Sequence, residues 1–293
     1  MSSETKPQID PLTGVSTTGH EWDGLQELNT PLPRWWLWTF YACIVWAIGY
    51  WIAYPAWPLI SSFTTGALGW HSRDAIVSDM AGLKAQRGPL MDKLAQASLA
   101  EISADRDLSD FARALGKPAF AENCAPCHGA GGGGAKGYPN LNDDEWLWGG
   151  KLEDIAQTIR HGVRAADDKT RPGAIMPAFG RDGLLTRDQI SSVADYVRYI
   201  AKVSDASIDV DKGKKIFADN CAVCHGDDGK GKRDLGAPNL TDAIWLYGSG
   251  KEVIVEGLTN GRGGIMPAWA ARLDDTTIKA LAIYVQGFGG GEK

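Results

Sequence analysis

The sequence predicts an all-α protein: one N-terminal transmembrane helix followed by two tandem copies of a small helical domain. Three observations carry this. From Trp35 to Ser72 the 293-residue chain has no Asp, Glu, Lys or Arg. Four of its five cysteines lie in two pentapeptides, CAPCH (124–128) and CAVCH (221–225), set 97 positions apart. Each pentapeptide is followed by the same succession of short motifs, and then by apolar residues spaced as on an amphipathic helix. The net charge of −6 excludes the basic excess of a nucleic-acid binder. A composition of 44% hydrophobic and 23% charged residues is that of a folded chain.

Residues 1–34 are mostly polar and read as an N-terminal segment ahead of the anchor. The section 35–60, WWLWTFYACIVWAIGYWIAYPAWPLI, is almost wholly apolar or aromatic. Roughly 20 such residues cross a bilayer core as a helix, whereas a buried core helix needs about 10–14. Trp35, Trp36 and Trp38 at one end, and Tyr54 and Trp57 at the other, match the two interfacial aromatic belts. Pro31 and Pro33 precede the helix, and Pro55 and Pro58 lie where it should end. A cleaved signal peptide would place a shorter apolar stretch close behind a basic start. Cys43, inside the span, reads as a packing residue. Lys6, Arg34 and Arg73 are too few basic residues to orient the anchor. Residues 61–108, with Leu83, Leu90, Leu94 and Leu99 among charges, read as helical connecting structure.

The repeat predicts a first domain over 109–203, a polar linker over 204–211 and a second domain over 212–293. Gly116, Phe120 and Asn123 recur as Gly213, Phe217 and Asn220. YPNL (138–141) recurs as APNL (237–240), EWLWGG (145–150) as IWLYGS (244–249), and AIMPAF (174–179) as GIMPAW (264–269). IxxVxxYVxxI from Ile190 and IxxLxxYVxxF from Ile278 close the two copies.

On a helix, positions i, i+3 and i+4 share a face, so Cys124, Cys127 and His128 point together, as do Cys221, Cys224 and His225. Two thiols can form thioethers to haem vinyl groups while the neighbouring imidazole reaches the iron, the c-type haem attachment pattern. A redox dithiol normally accompanies a βαβ pattern, and paired CxxC zinc ligands are usually about 15–20 residues apart. Neither explains a histidine after each pair. For the sixth iron ligand the candidates are Met176 and Met266, which occupy equivalent IMPA loops ahead of each closing helix. Proline after each methionine disfavours helix there. Core filling is the competing role for a methionine, and His161 is the competing ligand in the first copy, where the second copy has Asn260. Sequence order pairs Met176 with His128 and Met266 with His225. Such ligation fills both axial positions and suits electron transfer.

CxxCH, PNL, MP and a closing aromatic helix, in that order, resemble class I cytochrome c domains. The resemblance implies two covalently bound haem c groups. It also implies that the carbonyls of Pro139 and Pro238 hold the proximal imidazoles, and that Gly116 and Phe120 pack on Tyr196, and Gly213 and Phe217 on Tyr284. One anchor followed by two such domains resembles the dihaem subunit of bacterial cbb3-type cytochrome c oxidases. That likeness implies a subunit, not an enzyme on its own, which passes electrons from a soluble or membrane-anchored cytochrome c. The acceptors would be a monohaem cytochrome c subunit and a catalytic haem–copper subunit. It implies a single-pass protein of the bacterial inner membrane with periplasmic haem domains. Competing functions are an anchored dihaem cytochrome of a quinol- or alcohol-oxidising dehydrogenase, a dihaem peroxidase and a haem-based sensor. The first copy departs in having nine extra residues between His161 and Met176, relative to Asn260 and Met266.

Overall fold

A computed structural model describes residues 3–4, 6–171, 174–203 and 210–292. The chain divides into two compact units, 1–86 and 87–293. The first unit opens on an antiparallel sheet, β1 (Ser3–Glu4), β2 (Thr17–Trp22) and β3 (Leu25–Leu28), in that spatial order. This sheet is an addition to the expected helical class. Its signal in the sequence is Asp23-Gly24, whose φ values of 53° and 84° form the tight turn between β2 and β3. Helix α1 (Arg34–Ala53) follows, with 20 residues and none buried, and is the one helix among the described residues long and apolar enough to cross a membrane. At ~1.5 Å per residue it spans ~30 Å, the thickness of a hydrocarbon core. It stops short of the expected residue 60 because Tyr54, ahead of Pro55, is extended (φ −115°, ψ 161°).

Helix α2 (Ser72–Gln96) runs through the unit boundary, and α3 (Leu99–Ala104) follows, started by a Ser98–Glu101 capping box. The second unit then holds two similar helix sets. The first comprises α4 (Arg106–Asn123), α5 (Ala125–His128), α6 (Leu152–His161) and α7 (Arg187–Ile200). The second comprises α8 (Val210–Asn220), α9 (Ala222–His225), α10 (Lys251–Asn260) and α11 (Asp275–Gln286). The expected linker, 204–211, lies outside the described residues over 204–209, and its last two residues begin α8.

Sequence order assigns α7 to the first domain and α11 to the second; packing assigns them the other way. One core joins Leu108, Ala112 and Phe120 of α4 and Ile155 and Ile159 of α6 to Ile278, Leu281 and Val285 of α11. Leu94, Leu99 and Ile102 complete it, so the connecting segment contributes to this core. The other core joins Ile190, Val193 and Val197 of α7 to Ile216 and Phe217 of α8 and Leu258 of α10. The expected glycine–aromatic contacts form between copies, not within them. Phe120 meets Tyr284 with ring centroids 5.5 Å apart, and Phe217 meets Tyr196 at 5.4 Å. A Cβ on Gly116 would lie 2.5 Å from the Ala280 carbonyl oxygen, and one on Gly213 would strike the Ser192 carbonyl. Local connectivity supplies the reason. Only residues 201–209 separate α7 from α8, and helices joined by a short connection pack as antiparallel neighbours. With α7 taken by α8, the exposed face of α4 accepts the matching face of α11.

Candidate functional site

Each pentapeptide sits at a helix end. The Cys124 N–H donates to the Phe120 carbonyl at 2.8 Å, and α5 carries the chain one turn to His128. Gly129 then stops the turn with φ 78°, a left-handed conformation that favours glycine. Cys221, α9 and Gly226 (φ 78°) repeat this. Nδ1 of His128 lies 3.0 Å from the Pro139 carbonyl oxygen, and Nδ1 of His225 lies 3.0 Å from that of Pro238. A carbonyl only accepts, so in both rings Nδ1 carries the proton and Nε2 keeps its lone pair for a metal. The loops are folded back to make this contact: the Gly134 N–H donates to His128 and the Gly231 N–H to His225, both at 2.8 Å.

Each methionine lies with the cysteines of the other copy. Met176 lines one apolar cavity together with Cys221, Cys224, His225, Phe179 and Val197. Met266 packs on the core that holds Cys124 and Phe120. The pairing of Met176 with His128 and of Met266 with His225, expected from sequence order, is therefore not the one brought together. Backbone hydrogen bonds impose the exchange. Met176 and Arg262 exchange N–H···O bonds of 2.9 and 3.2 Å, and Met266 and Val163 exchange two of 3.0 Å. Each methionine loop is thus zipped to the segment leaving the other copy's middle helix. Gly162 (φ 66°) and Gly261 (φ 76°) allow it, because a Cβ at either would run into the carbonyl of Met266 or Met176 respectively. The paired HGV and NGR triplets, each with glycine in the middle, are the sequence signal for this approach.

His161 is engaged elsewhere: its Nδ1 lies 3.2 Å from each carboxylate oxygen of Asp167, a residue of the nine-residue insertion.

The electrostatics suit a covalently held prosthetic group with a largely apolar body. Burial pushes the Cys124 and Cys221 thiols up to about 11, with the neighbouring Cys127 and Cys224 adding to the shift. Burial also holds His225 below the ordinary histidine value, against the opposing bond to Pro238, so the ring is neutral as a metal ligand must be. The apolar cavity walls, a thiol pair at helical spacing, an imidazole with Nε2 open and a thioether match the donor set for haem c. Where the two copies meet, the Gly137 N–H donates to the Leu246 carbonyl at 2.8 Å, and Glu145 Oε1 lies 3.4 Å from Asn239 Nδ2. Burial, then Asp242 and Asp144 nearby, raise the Glu145 carboxyl against the effect of Asn239.

Comparison with known proteins gives a consistent set of likenesses. Residues 14–61 match the family model for the N-terminal domain of cytochrome oxidase-cbb3, FixP. Residues 113–201 match that for cytochrome c, and residues 208–285 that for cytochrome c oxidase, cbb3-type, subunit III. The chain is 58% identical over 285 residues to the cbb3-type cytochrome c oxidase subunit FixP of Azorhizobium caulinodans, covering 97% of this chain and 96% of that one. It is 56% identical over 286 residues to the FixP subunit of Bradyrhizobium diazoefficiens, with 97% and 98% covered. With the CcoP subunit of Cereibacter sphaeroides it shares 50% over 277 residues, with 94% and 95% covered.

Proposed function

The chain belongs to the family of cbb3-type cytochrome c oxidase subunits FixP and CcoP, and from that premise we propose that it relays electrons through two covalent haem c groups, one on Cys124 and Cys127 and one on Cys221 and Cys224. As a cytochrome c subunit of the oxidase it is an electron-transfer component of a complex, not a catalyst on its own, and cytochrome c domains imply covalently bound haem c. In our reading His128 and Met266 hold one iron, and His225 and Met176 the other. The observation that carries this is that Met176 lines one apolar cavity with His225, whose Nδ1 is committed to Pro238.

Haem supplies one-electron chemistry at iron. The chain supplies everything that makes the exchange easy. Thiols fix the group, and the proline carbonyls fix the ring orientation of each histidine. With haem bound, Met176 and Met266 would each supply a thioether beside the imidazole ligand, a donor that would favour the ferrous state. Phe179, Val193 and Val197 give the cavity an apolar lining.

The anchor α1 tethers the chain to the bacterial inner membrane, and haem attachment on the outer face of that membrane puts the haem domains in the periplasm with residues 1–34 in the cytoplasm. The donor in this reading is a cytochrome c, and the acceptors are the monohaem and haem–copper subunits of the oxidase. The test is covalent haem staining on denaturing gels of the full chain matured in a host that attaches haem c. Removing Cys124 and Cys127, or Cys221 and Cys224, should halve the staining, and removing all four should abolish it. Full staining without the four cysteines would sink the proposal, and absence of copper and b-type haem from the detergent-purified complex would sink the oxidase partners.

A further inference from the structure

Among the described residues, Arg164 is a cation without a carboxylate partner. Its side chain lines the same cavity as Met176, Cys221 and His225, although it belongs to the copy that lacks those cysteines. Its Nε donates to the Gly264 carbonyl at 2.7 Å, and among the described residues no carboxylate lies within ion-pairing distance. Burial depresses its pKa, opposed only by Tyr247. Its backbone sits at φ 51°, a conformation that costs a non-glycine residue energy and persists where surrounding contacts impose it. A second guanidinium lines the same cavity: Arg262 lies 4.1 Å over the Tyr247 ring, and its nearest carboxylate, the exposed Glu256, is 3.5 Å away. Two guanidinium groups gathered at one cavity favour negative charge there, and haem c carries two carboxylates.

We propose that Arg164, reaching over from the first copy, forms with Arg262 the clamp for a haem carboxylate at the Cys221–His225 site, and that this clamp raises that haem's reduction potential above its partner's. The inference rests on the haem reading given above. A fixed cation stabilises the reduced iron, which carries one positive charge fewer, and keeps the nearby carboxylate ionised. The copies are not equivalent here. Aligning HGVR (161–164) with NGRG (260–263) sets Arg164 against Gly263 and Arg262 against Val163. By the symmetry of the repeat, the Cys124 site has glycine and valine where the Cys221 site has its two arginines.

The experiment is a redox titration of the full chain in detergent at several pH values, with the two haems assigned through Met176→His and Met266→His. Arg164→Gln should shift the electron-sharing ratio between the haems about tenfold away from the Cys221 haem, about 59 mV for a one-electron couple. It should also make that haem's potential more pH-dependent around neutrality, because a carboxylate without its cation binds a proton more readily. Arg164→Lys should recover most of both effects. Arg262→Gln, which leaves the backbone pairing with Met176 in place, should move the same haem in the same direction. An unchanged potential and pH slope in both glutamine variants would overturn the clamp, as would equal behaviour of Arg164→Gln and Arg164→Lys or a shift confined to the Cys124 haem. If instead Met176→His perturbs the Cys124 haem, the exchanged ligation is what has failed.

Discussion

At the scale of single residues, the exchanged methionines give the sharpest consequence. Met176→His replaces a soft thioether by a harder nitrogen donor, which favours ferric iron and lowers the potential. Because Met176 lies with His225, we predict that the potential falls for the haem on Cys221 and Cys224, while Met266→His lowers that of the haem on Cys124 and Cys127. Redox titration of each variant combined with loss of one cysteine pair reads the assignment, and a Met176→His shift in the Cys124 haem would contradict it. Glu145 gives a pH prediction. Burial raises its carboxyl in the folded chain, so folding favours the protonated form. Its ionisation therefore removes stability as pH rises from the ordinary glutamate range through the raised folded value, and stability is fully retained below. Glu145→Gln should flatten that part of the profile without lowering stability at neutral pH, as read from urea midpoints across pH. A midpoint that drops in the variant at neutral pH would show the charge to be stabilising.

At the scale of elements, the pairing of Met176 with Arg262 depends on Gly261. Alanine there is doubly disfavoured, by a positive φ with ψ 171°, a region essentially confined to glycine (about 1–3 kcal/mol), and by a Cβ placed 2.5 Å from the Met176 carbonyl oxygen. Gly261→Ala should therefore loosen the loop and weaken thioether ligation at the Cys221 haem, leaving the Cys124 haem spectrum intact. Gly264→Ala is the control: a Cβ there meets nothing within 4 Å, and its φ is not left-handed. Equal effects of the two substitutions on the haem spectra would show that the close approach at Gly261 is unimportant.

At the scale of the whole molecule, each helical core is assembled from both copies. Ile278, Leu281 and Ile283 of α11 are buried on α4 and α6, and each such side chain contributes about 1.5–3 kcal/mol on leaving water. Separating the copies would expose that surface and its counterpart between α7 and α8. We predict that a protease site inserted within 204–209, once cleaved, leaves fragments that co-elute on size exclusion in mild detergent with their haem spectra unchanged, and part only in denaturant. Two domains that merely follow one another would separate after the cut, so separation under native conditions would refute the interleaved packing.

The sequence by itself determined the local chemistry. The length and neutrality of 35–60 mark a membrane helix because a bilayer core demands both. The i, i+3, i+4 spacing of Cys124, Cys127 and His128 gathers them on one face because a helix has 3.6 residues per turn, and PNL places a carbonyl beside each imidazole. The sheet around the Asp23-Gly24 turn was not expected from the sequence, although Asp-Gly is a short-range turn signal. Only the tertiary structure decided which methionine faces which histidine, and which closing helix covers which opening one. Both copies present the same pattern, Gly and Phe on α4 and α8, Tyr on α7 and α11, so pattern alone accepts either partner. The choice falls to connectivity: α7 precedes α8 by a short segment and packs on it, which leaves α11 and the Met266 loop for the first copy.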